Sequence, residues 1–155
     1  MADFVFNIAK GRTGAYADNV EAASPTNSAI IIVPIYTTAT DATLKDYDTL
    51  SAVLGDANTA EATGSNWARK TLVAANITIT TDDATNDRVE VAFDADQTWS
   101  AVAASNDVSD LLFCYDADTT AGTDANIIPL TCNDFVITTD GSDVTASAGD
   151  FYRAS

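Results

Sequence analysis

Of the 23 acidic residues in this 155-residue chain, only Glu21, Glu61 and Glu90 are glutamate; the other 20 are aspartate. That bias restricts the fold more than any other feature. The short aspartate carboxylate competes for backbone hydrogen bonds, so it is poor inside helices and strands and good at caps and turns. Aspartates spread along a chain cut it into short elements with turns between them. A long helical bundle would draw its acidity from glutamate instead. The formal net charge of −16 therefore belongs mainly to loops.

Between the turns, apolar residues (46% of the chain) fall into runs of strand length. Asp3 to Ile8 alternates weakly and suits a first strand or an extended arm. Gly11 to Thr26 is mixed and ends in the turn signal Ser24-Pro25. Ala29 to Tyr36 is a β-branched run in which Pro34 argues for an edge position, a bulge or an early strand end. Leu44, Tyr47, Leu50, Val53 and Leu54 recur at helical spacing and predict one short α-helix at about residues 43–54. Thr43 and Asp46 resemble a capping box, Asp46 and Asp48 suit the first turns, and Gly55 suits the C-terminal cap. A weaker helical piece spans Asn66 to Val73.

From Asn76 the period becomes two. Ile77 and Ile79, then Val89, Val91 and Phe93, predict a hairpin across the turn formers 81–87. Thr98 to Val102 is a short strand, Leu111 to Tyr115 a central strand buried on both faces, and Ile127 to Cys132 another strand. Phe135, Ile137 and Val144 flank Asp140-Gly141, a strong hairpin signal. Phe151 and Tyr152 close the chain. The expected fold class is mainly β: a β-sandwich or small barrel-like domain with one short α-helix. Residues 1–12 are expected to form an extended docking arm, and 13–155 a single mostly-β domain. A chain this long buries about 70% of its unfolded surface without a staple.

The chain contains no histidine. That removes Ser-His-Asp and Cys-His nucleophile systems and His-ligated metals. Cys114 and Cys132 lie in apolar runs; one disulfide can be drawn between them, but two buried free thiols are expected. Lys10-Gly11-Arg12-Thr13-Gly14 is too short and wrongly ordered for a phosphate loop, and reads as a turn with two basic residues or a modest anion or partner contact. Asp46 with Asp48, and Asp94 with Asp96, are better explained by helix capping and turns than as an acid–base dyad. Calcium is the one metal worth weighing. Asp116, Asp118 and Asp124 share a loop, and Asp82, Asp83, Asn86 and Asp87 share a turn. Neither has EF-hand spacing, so solvated loops and no cofactor are expected.

A surface this negative repels nucleic-acid backbones and anionic lipid headgroups. Arg69-Lys70 beside Trp67 is the one basic pair with an aromatic neighbour, and it is expected to neutralise nearby Asp residues. The longest apolar run, 29–36, is too short to span a membrane. The start lacks a basic, apolar leader, so synthesis and use in a cytosol are expected. The sequon at Asn76 lies in an expected strand. The charge is expected to serve solubility, as in a saline setting, or to face a basic or cation-bridged partner.

Several segments carry a further pattern: Gln97-Thr-Trp99, Leu111-Leu-Phe-Cys-Tyr-Asp116, Thr119-Thr-Ala-Gly-Thr-Asp124, Ile128-Pro-Leu130, Asp134-Phe135, Asp140-Gly-Ser142 and Phe151-Tyr-Arg-Ala154. With the opening Met1 to Arg12 and the Leu44 to Leu50 segment, they resemble small structural proteins of tailed bacteriophages. The resemblance implies a non-enzymatic, head-associated, neck or tail role in the virion, assembled in the host bacterial cytoplasm. The first expectation is a capsid decoration or cement subunit, multi-copy or homo-oligomeric, bound to the major capsid protein or other virion proteins. Phe4, Phe6, Ile8, Lys10 and Arg12 are its candidate docking residues. The alternatives are a neck or tail ring component, or a virion-displayed β-sandwich module binding carbohydrate or calcium. A carbohydrate site would use Trp67 or Trp99 as a stacking platform, although Trp99 is expected in the core.

Overall fold

The computed structural model of the chain describes residues 2–80 and 89–154. Its elements in chain order are β1 (Phe4–Val5), α1 (Thr13–Glu21), β2 (Ala29–Thr37), α2 (Asp41–Leu44), α3 (Leu50–Leu54), β3 (Thr59–Glu61), β4 (Lys70–Leu72), β5 (Ile77–Thr80), β6 (Val89–Phe93), β7 (Gln97–Trp99), β8 (Val108–Asp116), β9 (Ile128–Ile137), β10 (Val144–Ala146) and β11 (Gly149–Ala154). The domain is mainly β, as expected. A six-stranded sheet has the order β1-β9-β8-β2-β3, with β4 also paired to β2. A three-stranded sheet runs β11-β6-β5, and β10 pairs with β7. All of these pairings are antiparallel.

The centre of the large sheet is β2 beside β8, with Ile32 opposite Phe113 and Val33 opposite Leu112. Both runs are continuously apolar because both faces of this sheet are covered. On one face Phe113 stacks on Phe151 of β11 at 4.4 Å and lies 5.8 Å from Phe93 of β6. Tyr115, two residues on, stacks on Tyr16 of α1 at 4.7 Å. The alternate residues Leu112 and Cys114 are buried too, and the segment carrying α2 and α3 adds the buried Leu44, Leu50 and Val53 to the same core. The central position expected for Leu111 to Tyr115 is the one observed.

Four local readings change. Residues 43–54 form two helical turns rather than one helix. The Thr40 and Thr49 side chains each accept a backbone N–H three residues on, from Thr43 and Ala52, and each begins a separate turn. The Asn66–Val73 piece is not helical and ends in strand β4. The longest helix among the described residues is α1, in the segment read as mixed; its buried stripe is Thr13, Ala17 and Val20, too small and too polar to register as an apolar period. Asp140-Gly141 does not close a hairpin. It carries the chain from β9 to β10, whose partner is β7, through Gly141 at φ +101 and paired backbone bonds with Val102.

Pro34 lies inside β2 rather than at an edge or an early end. Its carbonyl accepts the Ala62 amide, so its nitrogen faces the interval between the β3 and β4 pairings. The missing N–H therefore breaks no ladder. Pro129 in β9 sits at a register slip opposite Phe113 and Cys114.

Candidate functional site

Residues 4–6 do not project as an arm. Phe4 pairs with Cys132 and Val5 with Thr131, and the Phe6 amide donates to the Leu130 carbonyl at 3.0 Å. Phe4 and Phe6 are buried with ring centroids 5.1 Å apart, and the Lys45 ammonium lies 5.2 Å from the Phe4 ring centre. An unpaired β9 edge and two phenylalanines on one face are enough to draw this segment into the sheet. The expected docking residues therefore divide. Phe4 and Phe6 belong to the chain's own core, Ile8 is half-buried, and Lys10 and Arg12 are exposed.

The Asp116–Asp124 loop is bound by its own chain. Asp116 accepts the Asp118 amide at 3.0 Å. Asp118 accepts the Thr120 hydroxyl at 2.6 Å, the Thr120 amide at 3.0 Å and the Asn27 amide group at 3.3 Å. The Thr120 bonds hold its carboxyl below the usual range. Asp124 is gripped by both terminal nitrogens of Arg69, at 2.6 and 2.9 Å. The same guanidinium makes a fork with Glu61 at 2.7 and 2.6 Å. Arg69 thus neutralises an aspartate, Asp124, as expected of the basic pair, and a glutamate that was not expected, whereas Lys70 donates to the Thr98 carbonyl at 2.7 Å; Arg69 depresses the Asp124 pKa. Among the described residues no three acids or cysteines are placed to hold a metal ion, so Asp116, Asp118 and Asp124 do not converge on one. The set Asp82, Asp83, Asn86 and Asp87 lies outside the described residues.

Neither tryptophan is a platform. Trp67 and Trp99 are buried 5.0 Å apart, and their indole N–H groups donate to the Asn106 and Ala68 carbonyls, each at 2.7 Å. The core position expected for Trp99 is observed; an exposed Trp67 is not. The surrounding loops hold Ser65, Asn66, Ala101 and Ser105 at positive φ. They are tied by the Asn66 side-chain amide to the carbonyls of Ser100 and Ala101, and by the Ala103 amide to the Ser65 hydroxyl.

Cys114 and Cys132 are free and buried, as expected, and burial pushes both thiols well above their ordinary pKa. Beside Cys132 lies a residue that sequence reasoning missed. Asp110 has no solvent exposure. One of its carboxylate oxygens faces the Cys132 thiol at 3.7 Å, and the other has no hydrogen-bond partner. Burial raises its pKa. The only signal was its position at the head of the apolar run Leu111 to Tyr115.

The outer edge of β9 is only partly used by the fold. This strand has ten residues, and β1 pairs with two of them. The Asp134 amide is taken by the Asp3 carboxylate at 2.7 Å. From Phe135 to Ile137 no strand among the described residues pairs with that edge. Val136 there is 70% exposed. A groove of about 400 Å³ lies farther along, where β1 meets β9, and is lined by Thr131 and Asn133 of β9, by residues 3–5 and by residues 150–153 of β11. A scan against protein-family models, a search of curated proteins and a search of solved structures each found no match.

Proposed function

We propose that this chain is a non-enzymatic structural subunit of a tailed-phage virion, seated as a decoration or cement protein on the outer face of the head. The assignment to a phage rests on the sequence resemblance described above. The structural observation that supports a contact role is the outer edge of β9 from Phe135 to Ile137, which no strand among the described residues pairs with, and the exposed Val136 on it. An exposed strand edge is a ready template for pairing with another chain, and folds ordinarily cover or charge it. The mechanism is mechanical: many copies each bury an interface on the order of 1,200–2,000 Å² against the capsid, and the summed contacts oppose internal pressure. The aspartate loops face solvent and keep the unassembled subunit soluble.

Copy number in purified particles tests this reading. Hundreds of copies per particle support head decoration. About a dozen move the subunit to a neck or tail ring, where closed cyclic symmetry sets the count. Absence from washed particles overturns the virion role altogether. The binding-module alternative has less support, since both tryptophans are buried and the Asp124 carboxylate is held by Arg69.

A further inference from the structure

We propose that the hollow beside Tyr36, about 220 Å³ in volume, is a binding site for a single neutral pyranose ring, such as the end unit of a surface glycan. The inference goes beyond the structural-subunit reading and does not depend on it. The site also differs from a tryptophan platform. The aromatic that meets the ligand is Tyr36, and the buried Trp67 is only part of the lining.

Tyr36 is the one exposed residue of β2; the other eight are buried. Its neighbours across the sheet leave the ring standing free. Opposite it on β3 is Ala60, which offers only a methyl group. On the β8 side Ser109 turns its hydroxyl onto the β2 backbone, where it accepts the Thr37 amide at 2.9 Å. Among the described residues no hydrogen bond engages the Tyr36 side chain, and no ring or cation stacks on it. A free aromatic face attracts the C–H bonds of a sugar ring through its quadrupole and buries apolar area beneath it.

The far wall consists of two loops, 63–67 and 100–107, fixed against each other. The Trp67 indole N–H donates to the Asn106 carbonyl at 2.7 Å, and the Ala103 amide to the Ser65 hydroxyl at 2.8 Å. At Gly64 the loops approach so closely that a Cβ would lie 2.8 Å from the Asn106 side-chain oxygen. Of the five non-glycine residues with positive φ among the described residues, four are here: Ser65, Asn66, Ala101 and Ser105. Left-handed backbone at such residues persists only where the surroundings impose it, and it clusters at ligand clamps. A wall held in this way keeps its shape without a ligand, which lowers the ordering cost of binding.

The rim supplies polar groups at several points. Thr63 and Ser105 are exposed, and among the described residues nothing bonds to their hydroxyls. Asp107 is set in place by Thr139, whose amide and hydroxyl both reach one carboxylate oxygen, at 2.8 and 3.3 Å. The other oxygen takes no bond among the described residues. Two hydroxyls that donate or accept, with a carboxylate oxygen that accepts, match a ligand carrying several hydroxyls around a ring. A lone cation would use the carboxylate and leave the hydroxyls idle, and an anion would be repelled by it. The volume falls below the roughly 300–1,000 Å³ of a site for a drug-sized molecule, so the hollow takes one ring and further units would extend into solvent.

The test titrates the full-length protein with glucose, galactose, mannose and N-acetylglucosamine and follows amide NMR shifts. At least one of these sugars is expected to move the resonances of Tyr36, Thr63 and Ser105 saturably. Tyr36→Ala is expected to weaken that sugar by about tenfold or more with an unchanged melting temperature, and Tyr36→Phe to bind it as the wild type does, because the ring face is the contact. Thr63→Ala should weaken it by a smaller factor. The proposal is overturned if none of the four sugars moves these resonances, or if Tyr36→Ala binds as the wild type does. It is equally overturned if N-acetylneuraminic acid or tetramethylammonium binds there more tightly than every neutral sugar. Should Tyr36→Ala fail to fold, Thr63→Ala decides: sugar binding equal to wild type in that variant sinks the site. Copy number in particles bears on the structural-subunit reading alone, so the two ideas fail separately.

Discussion

Asp110 is the aspartate that least resembles the rest. Most aspartates here hold a turn or face solvent, whereas Asp110 is buried with one oxygen unsatisfied. The sign of its pH effect follows from its raised pKa. Below about 3.9, where an unfolded aspartate titrates, both states are protonated and the site costs nothing. As pH rises from there through the folded value, the unfolded chain gives up its proton more readily, and stability falls. Asp110→Asn should therefore raise the melting temperature at neutral pH, by about 1 kcal/mol in stability, with the gain vanishing near pH 4. A gain that is equal at both pH values would sink this account. The two thiols give a second prediction. Cys114 and Cys132 are buried and their pKa values are raised, so neither should react with a thiol reagent at neutral pH until the protein unfolds. Labelling in the folded state would contradict it. The burial of the cysteines was legible from their apolar runs. That of Asp110 was not, because an acid at the start of a strand reads the same whether the next layer covers it or not.

At the scale of elements, Arg69 joins the end of β3, through Glu61, to the Asp124 loop. Arg69→Ala leaves both carboxylates without this partner and should cost about 2 kcal/mol in denaturant unfolding; the figure is kept low because Asp124 is partly solvated. Arg69→Lys should recover little of it, since an ammonium cannot present two forks. The pKa of Asp124 is depressed in the folded state, so its contribution is present at neutral pH and lost as pH falls through that folded value. Wild type and Arg69→Ala should therefore converge in acid. The two helical turns have their own test. Thr40→Ala and Thr49→Ala each remove an N-cap acceptor and should each cost about 1 kcal/mol in thermal unfolding. One continuous helix over 43–54 would leave Thr49→Ala nearly silent, because Thr49 would then be an interior position. The Leu44–Leu54 spacing identified the buried face correctly. It could not show the break, because residues on one face of a helix and on two successive turns leave the same spacing in the sequence.

For the whole molecule, the −16 charge is the governing quantity. Self-repulsion lowers the stability of the compact state, so the melting temperature should rise as sodium chloride is raised from low to physiological strength. Calcium at matched ionic strength should add no further shift, and an added rise would restore an acidic loop as a cation site. The mainly β architecture was legible because Asp- and Gly-rich turns punctuate β-branched runs. Which strands pair was less so. The 77–93 hairpin is local and was read correctly, whereas β7 with β10 is a pairing at long sequence separation that no turn signal reveals.

The sequence by itself determined the fold class, the central apolar strand, the free and buried cysteines and the placement of acid in turns. Each follows from local chemistry: propensity, period and the hydrogen-bonding habits of aspartate. Only the tertiary structure decided that the N-terminal segment is a sheet edge rather than an arm, that both tryptophans are buried, that Arg69 joins Glu61 to Asp124, and that part of the outer side of β9 pairs with no strand among the described residues. Those outcomes depend on which surfaces distant segments bring together, and a chain read one window at a time carries no record of that.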